Sequence, residues 1–129
     1  MEAIATIPKY TLSKRERLKS RKKIQLLFRR KSFVQNEYLR IFFHFESDKS
    51  SVQIHQFAFA APKRLFSNAT ERNYIKRLLR EAVRKNKSEL IAPFTNKTGS
   101  FFISYVHKEK PNFMIIENSL LTLFNKIKK

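Results

Sequence analysis

Apolar residues recur along this chain with two different spacings, and the changes of spacing mark its elements. Ile24, Leu27 and Phe28 fall at i, i+3 and i+4, which predicts a short amphipathic helix entered through Ser20 as N-cap and ending near Arg30. Residues 38 to 46 switch to period 2. Leu39, Ile41, Phe43 and Phe45 share one face of a strand, and Tyr38, Arg40, Phe42, His44 and Glu46 share the other. Ser32 to Gln35 reads as a shorter strand paired to it through Asn36-Glu37, and Glu46 to Ser51 as a polar turn. Gln53 to Ala61 is a further strand, with Phe57 and Phe59 opposite Ala58 and Ala60, and Pro62 ends it.

The strongest helical pattern follows, over about Thr70 to Lys87. Ile75, Leu78, Leu79, Ala82 and Val83 sit at i, i+3, i+4, i+7 and i+8. At 100° per residue, Asn73, Arg77, Arg80 and Arg84 fall opposite that stripe, while Arg72 and Lys76 stand on its shoulder. Ile91 to Gly99 is read as a loop and Phe101 to His107 as a strand. A last helix runs over about Phe113 to Lys126, capped by Asn112, with Ile116, Leu120, Leu123, Phe124 and Ile127 on one side. The order α-β-β-β-α-β-α predicts an α+β fold, a small four-stranded sheet with packed helices. Residues 1–12 read as a flexible lead-in and 13–129 as one domain.

Composition narrows the chemistry. The single glycine, Gly99, leaves neither a dinucleotide fingerprint nor a phosphate-cradling loop. The absence of cysteine leaves no disulfide framework, thiolate metal site or thiol nucleophile. No apolar run approaches the roughly 18 residues of a membrane span. Residues 1–10 lack a secretory h-region, and with no cysteine the expected compartment is cytoplasmic or another reducing one. His44, His55 and His107 all fall in predicted strands without metal-ligand spacing. No pairing of titratable side chains points to self-sufficient catalysis, and no metal site is expected on the protein.

Charge changes the picture more. Lys and Arg number 28 against 10 Asp and Glu, a net +18 on 129 residues. The cations form two blocks, 13 to 31 and 63 to 87. Solvated helix faces ordinarily mix signs, because Glu–Lys pairs support the helix. Here Glu71 and Glu81 stand against Arg72, Lys76, Arg77, Arg80, Arg84, Lys85 and Lys87, so a polyanionic partner is expected. Arg40 and Phe42 on the second face of their strand suit single-stranded RNA, whose bases stack on rings. Burial of both sheet faces under helices explains the same pattern equally well.

The segment R72-N-Y-I-K-R-L-L-R-E-A-V-R84 resembles the R-N-x-x-K-R-x-x-R helix of the bacterial ribonuclease P protein family. The preceding A-A-P-K-R and the opening L-S-K-R-E-R-L-K-S-R-K-K-I-Q-L-L-F are similar to that family's basic loop and first helix. The likeness spans about Leu12 to Lys126. It implies a four-stranded sheet with a left-handed βαβ crossover, similar to the second domain of a small-subunit ribosomal protein. It further implies a non-catalytic subunit that binds a catalytic RNA and the 5′ leader of precursor tRNA. In that arrangement the RNA holds the Mg²⁺ and performs the hydrolysis, so no cofactor is expected on the protein alone.

Position by position, the likeness implies RNA contacts for Arg72, Asn73, Lys76, Arg77 and Arg80, for Lys63 and Arg64 of the basic loop, and for Arg15, Arg17 and Lys22 of the opening segment. Ile24, Phe28, Arg40 and Phe42 match the leader cleft. Three positions depart from the pattern. Tyr74 stands where many members have a further basic residue, Ile24 where an aromatic is common, and Ser67 where glycine is common. A ribosomal-protein-like RNA-binding module is the alternative function. A DNA-binding helix fits the strand-rich context less well, and neither a DNA nor a membrane partner is expected.

Overall fold

The computed structural model describes residues 12–50 and 53–128. A single 3₁₀ turn, Lys14–Glu16, precedes helix α1 (Arg21–Arg30). Strands β1 (Phe33–Gln35), β2 (Leu39–Ser47) and β3 (Gln56–Ala60) follow, then α2 (Ala69–Ile91), β4 (Lys97–Tyr105) and α3 (Phe113–Ile127). This is the expected α+β order. The expected lead-in lies outside the described residues up to position 11. Leu12, its last residue, is buried in the core.

The sheet order is β1-β2-β4-β3. β2 pairs antiparallel with β1 and with β4, while β3 pairs parallel with β4. Parallel neighbours cannot be joined by a tight turn, and α2 supplies the crossover between them. One sheet face packs against α2 and α3. Leu39 and Ile41 of β2, Phe57 of β3, and Phe101, Ile103 and Tyr105 of β4 meet Ile75, Leu79, Val83, Ile116, Leu120 and Leu123 there, all nearly or fully buried.

The caps act as the residue types require. Ser20 Oγ accepts from Lys23 N at 3.3 Å, Asn68 Oδ1 from Thr70 N at 2.8 Å, and Asn112 Oδ1 from Ile115 N at 2.9 Å. Lys31 ends α1 in the left-handed region, at φ 57°. Asn36 Oδ1 accepts from the backbone N–H groups of Tyr38 and Leu39, which closes the β1–β2 turn at the expected place.

Four boundaries differ from expectation by two residues or more. α2 runs four residues past Lys87, because Leu90 continues its apolar stripe into the core behind a polar run. β4 begins at Lys97, since the polar Lys97 to Ser100 pairs with Ser47 to His44. It stops at Tyr105, which leaves His107 outside. β3 begins at Gln56 rather than Gln53, and His55 lies just before it. There the His55 imidazole Nδ1 accepts the Gly99 N–H at 3.0 Å, a side chain in place of a ladder carbonyl.

Candidate nucleic-acid interface

Strand register determines which side chains share the face opposite the core. Phe33 pairs with Phe42, Phe42 with Phe102, and Phe102 with Ala58, a row across all four strands. The next row reads Gln35, Arg40, Ser104, Ala60, and the row on the other side reads His44, Ser100, Gln56. α1 lies across this last row. Lys23 Nζ donates to Gln56 Oε1 at 3.2 Å near one end, and Arg30 Nη1 lies 3.1 Å from His44 Nδ1 near the other. From α1, Phe28 presents its edge to Phe42 (4.9 Å between centroids) and to Phe102 (5.0 Å).

The second sheet face is therefore covered at one end and open at the other. Burial under a helix, one of the two readings of the β2 pattern, holds at the end that α1 covers. The open end is a trough. Its floor is Ala58, Ala60 and Ser104, small side chains that are only half-buried. Its rings are Phe28, 42% exposed, with Phe42 and Phe102 half-buried. Arg40 stands at the rim with Nε donating to Gln35 Oε1 at 2.6 Å and its guanidinium 5.5 Å from the centre of the Phe33 ring. Ile24 is half-buried on α1. The family resemblance implies Ile24, Phe28, Arg40 and Phe42 here but not Phe33, Phe102 or the small floor residues. The period-2 alternation of β4 signals Phe102 and Ser104, but their meeting with Phe42 depends on a long-range pairing.

Beyond β3 the basic blocks converge. The segment after the 3₁₀ turn docks on the outer edge of β3, where Arg17 bridges Phe57 and Leu18 N donates to Phe57 O at 2.8 Å. Arg17 and Lys19 from this segment, and Lys76 and Arg80 from α2, line a groove of about 420 Å³ floored by Leu12, Phe57, Ala58 and Phe59. Arg80 lies 6.0 Å from the Phe59 ring centre. Arg15, Lys22, Lys63, Arg64, Asn73 and Arg77 are exposed. Arg77 lies 4.0 Å from Glu81 and 5.8 Å from the Tyr74 ring centre, so the departure at Tyr74 supplies an aromatic plate beside two cations, Arg77 and Lys110.

Two arginines of α2 make contacts that the helix pattern alone does not show. Arg72 donates through Nη1 to the carbonyls of Phe66 and Ser67, both at 2.8 Å, and so ties the basic loop to the helix it enters. Arg84, expected on the outer row, is half-buried, and its Nε is buried without a hydrogen-bond partner. Its long side chain lies with Glu81, Lys85 and Phe113 beside a cavity instead of extending into solvent.

Among the described residues no three His, Asp or Glu side chains gather in a way that could hold a metal ion. No helix among them is long and apolar enough to cross a membrane. Burial holds the His55 imidazole below its ordinary pKa, and pushes the Tyr105 hydroxyl, which donates to Glu109 O, up to about 12.

Fold and site together define a basic α+β domain whose sheet keeps one end of one face open beside a cation-rich helix. The ribonuclease P family model matches residues 12–128. The ribonuclease P protein component of Thermotoga sp. (strain RQ2) is 30% identical over 123 residues, covering 91% of this chain and 96% of the relative. The solved ribonuclease P protein of Thermotoga maritima superposes with a TM-score of 0.66 at 25% identity, covering 86% of this chain and 96% of that one. The Staphylococcus aureus ribonuclease P protein shares the fold, with a TM-score of 0.68 at 20% identity over 88% of this chain and 95% of that one. The chain belongs to the ribonuclease P protein component family.

Proposed function

We propose that this protein is the RNA-binding subunit of ribonuclease P, holding the catalytic RNA and the 5′ leader of precursor tRNA while the leader is removed. In this reading the RNA subunit holds the Mg²⁺ and carries out the hydrolysis, and the protein contributes binding and placement. The observation that carries it is the open trough, where Phe28, Phe42 and Phe102 surround a floor of Ala58, Ala60 and Ser104. Such a trough suits a single strand, whose bases stack on rings and whose phosphates meet nearby cations. Arg17, Lys19, Lys76 and Arg80 supply those cations across β3. Arg77, Lys63, Arg64, Arg15 and Lys22 extend the positive surface toward the catalytic RNA, and Asn73 adds a neutral hydrogen-bonding amide beside them.

The test is cleavage of a precursor tRNA by a bacterial ribonuclease P RNA at low Mg²⁺, with and without the protein. Stimulation is expected, and it should depend on the presence of the leader. No stimulation would sink the proposal.

A further inference from the structure

The row Gln35–Arg40–Ser104–Ala60 holds one cation, and that cation is held in place. Arg40 Nε is engaged by Gln35 Oε1 at 2.6 Å, and the guanidinium lies over the Phe33 ring at 5.5 Å. Gln35 and Arg40 are direct cross-strand partners, and Phe33 pairs with Phe42 one row away. Both contacts therefore come from the short edge strand β1. Phosphates have other cations available nearby, among them the exposed Arg17, Lys19 and Arg80. A held guanidinium fork can clasp a phosphate as well as a base edge, and only the base edge makes that contact depend on sequence. The two acceptors of guanine, O6 and N7, match the end-on fork of a fixed arginine. With Nε engaged by Gln35, the two terminal nitrogens remain as that fork. The neighbouring row of rings is where a base would stack, with its edge toward Arg40.

We propose that Arg40 is a specificity-determining residue that recognises a guanine in the precursor tRNA leader, and that Gln35 is the positioning residue that orients it. This rests on the proposed function above and adds a base preference and a role for β1.

The experiment measures single-turnover kcat/KM and leader-dependent affinity of the holoenzyme reconstituted with a bacterial ribonuclease P RNA. The substrates are precursor tRNAs carrying guanine, adenine or 7-deazaguanine at each leader position in turn. The wild-type protein should prefer guanine at one position by roughly tenfold, within the range of one bidentate contact, and 7-deazaguanine should lose most of that preference. Arg40→Ala and Arg40→Lys should both abolish it, the lysine because it keeps charge without a fork. Gln35→Ala should reduce it, and Gln35→Glu, which still accepts from Nε, should retain it.

Equal losses on every leader in Arg40→Ala would mean a phosphate contact only and would overturn the inference. So would a wild-type protein without base preference at any position. Either result with leader-dependent stimulation intact leaves the proposed function standing, whereas loss of wild-type stimulation removes both. A far-UV spectrum and thermal melt of each variant separate misfolding from lost recognition, and Arg40→Lys keeps the test open if Arg40→Ala unfolds.

Discussion

The Glu16 carboxylate and the Lys87 ammonium meet at 2.8 Å across the molecule, with both side chains only 18% exposed. Glu16 also accepts from its own turn, through Ser13 N at 2.9 Å. The pair fastens the 3₁₀ turn to the far part of α2. It thereby sets the wall of the groove that Arg17 and Lys19 share with Lys76 and Arg80. Removing one partner from so sheltered a pair leaves the other charge poorly solvated. Glu16→Gln should therefore cost about 2 kcal/mol in urea unfolding at neutral pH. Burial raises the Glu16 pKa, but Lys87 and Ser13 outweigh it and hold the carboxyl below its ordinary 4.5. The unfolded chain thus binds the proton first, and this contribution is present above about pH 4.5 and lost as pH falls below it. The acid limb of wild-type unfolding should be steeper than that of Glu16→Gln.

His55 gives a second pH dependence in a separate window. The ring is 4% exposed, and its Nδ1 must be unprotonated to accept the Gly99 N–H. Burial lowers its pKa from 6.5, and the weaker attraction of Asp48 and Glu16 does not restore it. The unfolded state therefore takes up a proton that the folded state resists. Stability is complete above about pH 6.5 and declines as pH falls below that value. Chemical denaturation between about pH 7.5 and pH 5 should show the decline in the wild type. In His55→Asn, which keeps an acceptor and cannot titrate, the decline should vanish.

Phe28 separates folding from binding. Its ring is 42% exposed, and its contacts are edge-to-face with Phe42 and Phe102. Phe28→Ala should cost only about 1 kcal/mol of stability. If the ring stacks a leader base, the same change should weaken binding of precursor tRNA roughly tenfold while leaving mature tRNA nearly unaffected. Equal weakening of the two RNAs would exclude the stacking role.

Arg72 and Arg80 should part company although both belong to one motif. Arg72→Ala frees the Phe66 and Ser67 carbonyls and loosens the loop carrying Lys63 and Arg64. It should lower stability by about 2 kcal/mol in addition to weakening RNA binding. Arg80 is exposed and lies over Phe59. Arg80→Ala should leave stability almost unchanged and reduce the salt slope of RNA binding by about one. Paired denaturation curves and salt titrations would check both.

What could be read from the residues is what local chemistry determines. Ser20 and Asn112 mark helix starts because a short side chain there meets an N–H three positions on. The alternation in β2 marks its faces because successive side chains must oppose. The motif on α2 was legible as a motif, but the division of labour within it was not. Arg72 turns back to its own loop, and Arg84 folds along Lys85 and Phe113, and both depend on where distant segments come to rest. The trough was half legible for the same reason. Phe42 is visible in its strand, but Phe102 joins it only through pairing across 60 positions.

The strand order has a consequence for how the molecule comes into being. β4 lies between β2 and β3, yet it is the last strand to leave the ribosome. Until it inserts, β3 has no neighbour in the sheet, and the trough lacks Ser104 from its floor and Phe102 from its rings. A nascent chain that has not yet reached Tyr105 carries most of its cations without the surface that organises them. Such long-range closure is slow compared with helix formation. Truncation before that point therefore yields no smaller working fragment, only a basic chain whose two halves of the interface have never met.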